Sequence, residues 1–257
     1  MWTRIVLLAV LLFPLVAAAQ VNCGSTIGPR QRVTLGGDLG PCDGVDAALV
    51  VDSGTLDLAG FTVSCADVNV DGDLPQGIIL TGRKARVTGG AVTGCSNGVG
   101  LAGSGKHTVE AVTVRDSDDD GFDVLTSATK NTLVGNTSAN NGDDGFYLRG
   151  DKNRMIDNVA TGNAGDGIDL PSTADKNKLV RNRADANQDS GIEVGGSRNA
   201  VTAPSTARSA GNGVLLLGNK NRVSGGASTG NGVFDVAGCA GNKVRKLAAG
   251  NAAPDCR

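Results

Sequence analysis

The sequence is poor in aromatic residues and in side chains that bind transition metals. Its 257 residues include one tryptophan, one tyrosine and one histidine. A surface that binds neutral sugars is expected to present stacking rings, so this scarcity argues against such a platform. Beyond Met1 there is one methionine, Met155, and the single histidine is His107. If the six cysteines form disulfides, these two side chains leave nothing to bind copper.

Long apolar runs are also missing, except at the N-terminus. Residues 1–19 combine Arg4, an apolar run and the small residues Ala17 and Ala19, which predicts a secretory signal peptide cleaved near Ala19. No later segment is apolar enough for a membrane span. The net charge of −2 argues against a dedicated nucleic-acid binder. We therefore expect a secreted or periplasmic protein.

Glycine is abundant, and the glycines mark a repeat. Units such as "DGFDV", "DGFYL" and "DGIDL" recur every 19–24 residues, which indicates a repeat protein. A second element, as in "KNRMI" and "KNKLV", follows nearly every glycine, and a third places a small residue three positions before another asparagine. The glycines are Gly77, Gly98, Gly121, Gly145, Gly167, Gly191, Gly213 and Gly232, and the asparagines of the second element are Asn131, Asn153, Asn177, Asn199, Asn221 and Asn242.

Each unit alternates apolar and polar residues, which predicts short strands that are buried on one side. A single unit is too small to bury its apolar face, so we expect the units to stack as coils with parallel strand pairing and a right-handed turn. The predicted fold is all-β, a right-handed parallel β-helix, which is a solenoid of about 22-residue coils. Two apolar columns should fill its interior: Ile78, Val99, Phe122, Phe146, Ile168, Ile192 and Val214 in one, and Val87, Val109, Leu133, Met155, Leu179, Val201, Val223 and Val244 in the other.

The repeated asparagines are expected to form the corners of the coils. Asparagine tolerates the left-handed backbone conformation that a sharp corner requires. Its side-chain amide can also donate to one neighbouring coil and accept from the other. His107 and Ala85 occupy the same slot in the earlier units.

These motifs resemble those of the right-handed parallel β-helix repeat proteins with a pectin-lyase-like fold. The resemblance rests on repeated "N-x-x-x-G-[IVF]-x-[LV]" and "[KR]-N-x-[LVMI]" elements over roughly residues 49–250. It implies a fold shared with pectate lyases, polygalacturonases and alginate epimerases, and that fold hosts many activities. We predict a signal peptide at 1–19, a disulfide-closed cap at 20–48, β-helix repeats at 49–238, and a last coil with a disulfide-pinned tail at 239–257.

The six cysteines of this exported chain predict disulfides, with fifteen possible pairings if all are bridged. Their positions favour three pairs: Cys23 with Cys42, Cys65 with Cys95, and Cys239 with Cys256. Cys65 and Cys95 end matching segments, "FTVSC" and "AVTGC", which should lie one coil apart. The alternative is a metal site, but the sequence has no CxxC pair or histidine partner for one.

Aspartates are the first group of candidate site residues. Asp120, Asp144 and Asp166 precede the repeat glycine in three successive units. This is a turn position, where aspartate also caps backbone amides without any further role. Stacked about 5 Å apart, such carboxylates repel each other unless a cation or a proton intervenes. We predict a metal site here, with calcium ahead of magnesium as the ion.

The outward slot two residues after the glycine holds Asp123, Tyr147, Asp169 and Glu193, which we predict to be binding residues. The resemblance to pectate lyases implies a further set, because those enzymes use calcium-binding carboxylates beside an arginine base. Asp144, Asp166 and Arg149 are the residues that would play these roles. Polygalacturonases of this fold also need His-Gly and Arg-x-Lys elements, and alginate epimerases an Asp-Pro-His triplet, all of which are missing here.

Cations form the second group of candidates, because a lysine or arginine directly precedes the corner residue in seven successive units. A row of this kind serves either to keep a solvated edge from aggregating or to bind an anionic polymer. Lys130, Lys152 and Lys176 are the central members. The full row is Lys84, Lys106, Lys130, Lys152, Lys176, Arg198 and Lys220.

These observations favour a non-catalytic protein that binds an acidic polysaccharide or another extracellular glycan. The alternative is an enzyme on uronic-acid glycans, most simply a calcium-dependent polysaccharide lyase. A purely structural module is a third interpretation. The sequence leaves the oligomeric state open.

Overall fold

Nearly all regular structure in this protein is β-strand. The computed structural model describes residues 21–66 and 75–256, so the predicted signal peptide lies outside the described residues. The first fourteen strands are β1 (Ser25–Ile27), β2 (Arg32–Thr34), β3 (Leu39–Cys42), β4 (Ala47–Asp52), β5 (Thr55–Asp57), β6 (Thr62–Cys65), β7 (Gln76–Thr81), β8 (Arg86–Thr93), β9 (Val99–Leu101), β10 (Thr108–Arg115), β11 (Phe122–Val124), β12 (Thr132–Val134), β13 (Thr137–Ala139) and β14 (Phe146–Leu148).

The second half of the chain continues with strands of two or three residues. They are β15 (Arg154–Ile156), β16 (Val159–Thr161), β17 (Ile168–Leu170), β18 (Lys178–Val180), β19 (Arg183–Asp185), β20 (Ile192–Val194), β21 (Ala200–Thr202), β22 (Ser205–Ala207), β23 (Val214–Leu216), β24 (Arg222–Ser224), β25 (Ala227–Thr229), β26 (Val236–Ala237), β27 (Lys243–Arg245) and β28 (Ala248–Ala249). A 3₁₀ turn at Pro254–Cys256 follows them.

The strands form three faces of a right-handed solenoid of about ten coils, and every pairing is parallel. Face 1 contains β1, β4, β7, β9, β11, β14, β17, β20, β23 and β26. Face 2 contains β2, β5, β8, β10, β12, β15, β18, β21, β24 and β27, and face 3 contains β3, β6, β8, β10, β13, β16, β19, β22, β25 and β28. Strands β8 and β10 are long enough to contribute to both faces 2 and 3.

Both predicted apolar columns are confirmed. Phe122 pairs with Phe146 and Phe146 with Ile168 on face 1, while Leu133 pairs with Met155 on face 2. All of these side chains are fully buried. The rings of Phe122 and Phe146 stack with their centroids 4.6 Å apart, so this aromatic pair forms part of the core.

The coils begin earlier than the predicted boundary between cap and repeats. Residue 48 lies inside β4, and β1 already pairs with β4 in the regular parallel register. Strands β2 and β3 pair with β5 and β6 in the same way. The segment assigned to a cap therefore also forms the first coil, because its short alternating strands continue the pattern of the repeats.

The structure corrects one repeat at the C-terminal end. The sequence pattern puts Gly232 in the slot of Gly213, but the strand pairing matches Val214 to Val236 and thereby puts Asp235 in that slot. The "NG" of Asn231 and Gly232 instead corresponds to Asn141 and Gly142, at an earlier turn of the coil. Its spacing of 19 residues from Gly213, shorter than all the others, was the sign of this shift.

Asparagine columns join successive coils, as predicted. The side-chain oxygen of Asn153 accepts the backbone N–H of Asn131 at 2.8 Å, and that of Asn163 accepts from Asn141 at 3.1 Å. The side-chain amides of Asn131 and Asn153 differ from the prediction, since they donate to a carbonyl three residues earlier in their own coil. A further column that the sequence analysis missed lies between faces 2 and 3 and consists of Asn136, Asn158 and Asn182.

The left-handed corner residue is not asparagine, which corrects the sequence analysis. The seven cations that precede the corner slot have φ angles between 59° and 62°, and none of the corner asparagines has a positive φ. The asparagine keeps an ordinary backbone because its side chain must point inward to accept an amide. The residue before it therefore makes the turn, and its own N–H bonds to the next coil, as in Lys152 to Asp175 and Lys176 to Ser197.

All three predicted disulfides are confirmed: Cys23–Cys42, Cys65–Cys95 and Cys239–Cys256, with Cα–Cα distances of 5.4, 4.9 and 5.0 Å. They lie towards the two ends of the solenoid, where coils have a neighbour on one side only. Disulfides of this kind form in oxidising compartments outside the cytosol.

Removing one corner asparagine should destabilise the protein. The Asn177 oxygen accepts the backbone N–H of Asn153 at 2.7 Å in the buried interior, so Asn177→Ala leaves that donor unpaired. We expect a loss of about 1–3 kcal/mol in the free energy of unfolding, measured by urea denaturation. Asn219→Ala is the matched control, because Asn219 is exposed. Equal denaturation midpoints for both variants would contradict the stabilising role of the column.

Candidate functional site

The acidic column on the turn before face 1 consists of Asp120, Asp144 and Asp166. Each carboxylate accepts a backbone N–H from the next coil: Asp120 from Asp144 at 3.1 Å, Asp144 from Asp166 at 2.7 Å, and Asp166 from Ser190 at 2.6 Å. The acidic column thus caps backbone amides as the asparagine columns do, but in the opposite direction, because each asparagine oxygen there accepts the N–H of the preceding coil. One role of these three aspartates is therefore to cap backbone amides.

Burial makes this acidic column unusual. The three side chains are at most 9% exposed, and desolvation is the main reason that their pKa values are raised. The pKa of Asp120 rises to about 8, that of Asp144 to about 8 and that of Asp166 to about 9. Repulsion from neighbouring carboxylates adds to the pKa shifts of Asp120 and Asp166. At neutral pH the column therefore carries protons.

The outward slot of face 1 forms a second column beside the first. Strand pairing aligns Asp123, Tyr147, Asp169 and Glu193 on successive coils, as the sequence analysis expected. Burial, followed by the charge of Glu193, raises the pKa of Asp169 to about 7. One carboxylate oxygen of Asp169 is buried without a hydrogen-bond partner. Acid groups thus crowd the centre of face 1.

Arg149 lies over this surface but is already engaged. Its guanidinium forms two hydrogen bonds to Asp123, at 3.2 and 2.5 Å, and lies 5.1 Å from the centre of the Tyr147 ring. The hydrogen bond to Asp123 raises the pKa of Arg149. This pairing holds Arg149 in its charged form, whereas a base must give up its proton before it reacts.

Two acidic triplets on face 1 and on the turn before it have the composition of a cation site. Carboxylate oxygens of Asp166, Asp169 and Glu193 lie within 4.8 Å of one another, and those of Asp119, Asp120 and Asp143 form a second such group. All donors are hard oxygens, which suit calcium, and Asp169, which has one buried oxygen without a partner, belongs to the first triplet. The predicted set of Asp120, Asp144 and Asp166 is divided between these groups, and Asp144 belongs to neither.

The basic ridge, defined as the row from Lys84 to Lys220, lies along the corner between faces 1 and 2. Each member donates its backbone N–H to the next coil, so the row is stacked in register. All seven side chains are exposed. Of the ridge residues, Arg198 alone forms an ion pair within the described residues, with Asp175 at 3.0 Å. The nearby charge of Arg83 lowers the pKa of Lys106, ahead of desolvation and the neighbouring lysines.

The backbone does not by itself require cations on this ridge. The corner between faces 2 and 3 imposes the same left-handed conformation, and it is occupied by Gly135, Asp157, Arg181, Ala203 and Gly225 in successive coils. Left-handed geometry costs about 1–2 kcal/mol for a residue with a Cβ atom. One corner carries seven lysines or arginines, whereas the other, with the same backbone conformation, carries a mixed set of residues. This difference points to a role for the positive charge itself.

The protonated acidic column predicts an unusual dependence of stability on pH. In the folded state these carboxyls keep their protons up to about pH 8–9, whereas in the unfolded chain they ionise near pH 3.8. Unfolding therefore releases protons, and the free energy of unfolding should fall as pH rises from about 5 to 9. Asp166→Asn should reduce this slope by up to about 1.4 kcal/mol per pH unit.

Urea denaturation at several pH values, in the presence of a chelator, measures this effect. Asp116→Asn, at an exposed position on another edge, is the control and should keep the wild-type slope. A wild-type stability that stays constant or rises over the same pH range, or a slope that Asp166→Asn leaves unchanged, would show that the column is ionised in the folded protein.

Comparison with protein families agrees with this architecture. The family model described as a right handed beta helix region matches residues 76–234, more than half of the chain. The chain belongs to the right-handed β-helix family. In comparison with curated proteins, the sequence gives no match. Among residues 21–66 and 75–256, no helix is long and apolar enough to cross a membrane.

Several solved structures share the fold of this β-helix protein. The A-module of a mannuronan C-5 epimerase from Azotobacter vinelandii is 19% identical with a TM-score of 0.55, and the match covers 83% of this chain and 65% of that one. A periplasmic alginate epimerase is 13% identical with a TM-score of 0.58, covering 88% and 70%. A pectate lyase is 17% identical with a TM-score of 0.60, covering 90% and 68%. The chain thus spans less than two thirds of the first of these structures.

Proposed function

We propose that this protein is an exported, secreted or periplasmic β-helix that binds an acidic polysaccharide along its basic ridge without cleaving it. The observation that carries the proposal is the row of seven exposed cations, six of them without an ion pair in the described residues, on a rigid backbone. The coil spacing of about 4.8 Å places the charges at intervals comparable to the sugar repeat of a uronic-acid chain. The similar structures include proteins named for alginate and pectate, which supports the same class of polymer.

Each ridge cation is expected to bind a carboxylate of the polymer weakly and through a flexible side chain. Lysine ammonium groups are point charges on mobile stems, and exposed ion pairs contribute about 0–1 kcal/mol each. Affinity must therefore accumulate over several coils. Binding should strengthen with polymer length and weaken with salt.

Titration calorimetry with polygalacturonate and alginate tests the proposal. We expect saturable binding that is lost at high salt and is absent for a neutral polysaccharide of similar length. Measurements in a chelator distinguish the ridge from the acidic face, since binding through lysine requires no metal ion. Failure of every uronic-acid polymer to bind at low salt would overturn the proposed function.

A calcium-dependent lyase acting on uronic-acid glycans is the second candidate, favoured by the convergence of Asp166, Asp169 and Glu193. Bound calcium would neutralise these carboxylates and attract a uronate to face 1. The base for such a reaction is Arg149, which the ion pair with Asp123 holds in its protonated form. The lyase therefore requires that this pair opens first.

Calcium titration separates the two candidates. If the triplet binds calcium, the melting temperature should rise at millimolar calcium, and Asp169→Asn should abolish the rise while the fold remains intact. Ultraviolet absorbance of the unsaturated product then reports lyase activity. Product formation that depends on calcium and on Asp169 would favour the enzyme over the binding protein.

A further inference from the structure

Face 2 continues the positive charge of the basic ridge on its other side. The residue directly after each corner asparagine begins a face 2 strand and points outward. Arg154 pairs with Lys178, and Arg222 with Lys243, in the parallel register. All four side chains are exposed and form no ion pair within the described residues. This second row, here called the flanking row, is Arg154, Lys178, Arg222 and Lys243, with Ala200 in the slot between Lys178 and Arg222.

An apolar column runs beside the flanking row. Val134, Ile156 and Val180 align on three successive coils, two residues further along each strand. Because side chains alternate across a strand, they share the outward side with the flanking row, and each is partly exposed. The middle residue of each of these strands points inward instead, and Leu133, Met155 and Leu179 fill this position.

The outward surface of face 2 that carries the flanking row and the apolar column, here called the strip, has few negative charges. Strands β12, β15, β18, β21 and β24 contain no acidic residue. Asp151 and Asp175, on the ridge side, accept backbone amides of the next coil at 2.8 Å. Asp157, on the far side, is paired with Arg181. The flanking row and, apart from Arg198, the basic ridge are thus free of ion pairs within the described residues and can meet an external anion.

We propose that face 2 is the platform on which the polysaccharide lies, with its axis along the solenoid. The ridge and the flanking row would bind carboxylates, and the apolar column would contact the C–H surface of the sugar rings. Arg154 suits a carboxylate especially well, because its guanidinium makes two parallel hydrogen bonds. This inference rests on the proposed function and adds to it the face, the ligand residues and the direction of the polymer.

The surface chemistry favours a polysaccharide over other polyanions. Single-stranded nucleic acid is bound through aromatic side chains on which bases stack, and the strands of this strip contain none. Partly exposed valine and isoleucine are too shallow to anchor a lipid chain, whereas they match the weakly apolar face of a pyranose. A linear polyuronate combines that face with regular carboxylates.

Two double variants test the platform in calorimetry with polygalacturonate. Arg154→Gln/Lys178→Gln should lower the affinity about fivefold to tenfold and reduce its salt dependence. Arg115→Gln/Arg208→Gln is the control with the same change in charge, at two exposed positions at or directly after the end of a face 3 strand, and it should change the affinity less than about twofold. Ile156→Thr should lower the affinity while leaving its salt dependence unchanged, because it removes an apolar contact alone. Circular dichroism and melting temperature verify folding of each variant.

The outcomes separate this inference from the proposed function. If the wild type binds and the Lys152→Gln/Lys176→Gln ridge variant weakens binding but the flanking-row variant does not, the ridge function stands and the platform is wrong. If the wild type binds no polyuronate, the proposed function itself fails. Tighter binding to single-stranded DNA or to vesicles of anionic lipid than to polyuronate would also overturn the inference.

Discussion

Replacing Lys130, Lys152 and Lys176 with glutamate is expected to lower the affinity for polygalacturonate by about 100-fold or more. Each substitution removes one attraction and introduces a repulsion of similar size, and exposed charge pairs contribute up to about 1 kcal/mol each. The three positions lie on successive coils at the centre of the ridge, so no register of a long polymer avoids them. Calorimetry at low salt measures the loss.

The fold should survive this triple variant. All three side chains are exposed, and glutamate at φ near 60° carries the same backbone cost as lysine there. The triple glutamine variant is the matched control and should lose about tenfold, because it removes attraction without adding repulsion. Unchanged affinity in the glutamate variant, with an unchanged melting temperature, would show that the ridge is merely a solvated edge.

Phe146→Ala is expected to destabilise the protein by about 3–5 kcal/mol. The side chain is fully buried, and its ring stacks on Phe122 at 4.6 Å with an interplanar angle of 11°. Alanine would leave a cavity between two coils that the rigid strand ladders hold at a fixed distance. Urea denaturation followed by circular dichroism gives the difference in free energy of unfolding.

Tyr147→Ala is the control for this substitution, because the adjacent side chain points out of the same strand and is partly exposed. We expect the tyrosine variant to lose far less stability than the phenylalanine variant. Similar losses for the two variants would mean that inward and outward positions are not distinguished on this face, contrary to the observed strand register.

The sequence predicts the interior of this fold better than its surface. Interior positions such as Phe122, Phe146 and Met155 follow from spacing alone, because each coil must pair with the next and the side-chain period of a strand is two. The disulfide pairs follow from the same stacking. Where the spacing was irregular, as at Gly232, the prediction failed by three residues.

The corner shows what a residue pattern leaves undetermined. "K-N" marks the turn correctly, but the pattern does not reveal which of the two residues takes the left-handed conformation. Local preference favours asparagine, whereas the structure assigns that conformation to lysine, because the asparagine side chain is needed inside to bind the backbone of the preceding coil. A tertiary hydrogen bond thus overrides the local preference.

Which surface side chains contact each other depends on the directions in which they point, and the spacing of residues in the sequence does not reveal those directions. The resemblance to pectate lyases implies Arg149 as a base beside Asp144 and Asp166, yet its guanidinium pairs with Asp123, 26 residues earlier in the chain. The flanking row was missed for a related reason. Arg154 and Lys178 look like ordinary strand residues until the register places them beside the ridge and next to Ile156 and Val180.

Lysine footprinting tests the central claim most directly, because it reports where a polymer covers the folded protein. The protein is acetylated with and without saturating polygalacturonate, and the rate at each lysine is read by mass spectrometry. We predict strong protection of Lys130, Lys152, Lys176 and Lys178, and unchanged modification of Lys246 at another corner. Protection that spares these four lysines while the polymer is bound would contradict the account.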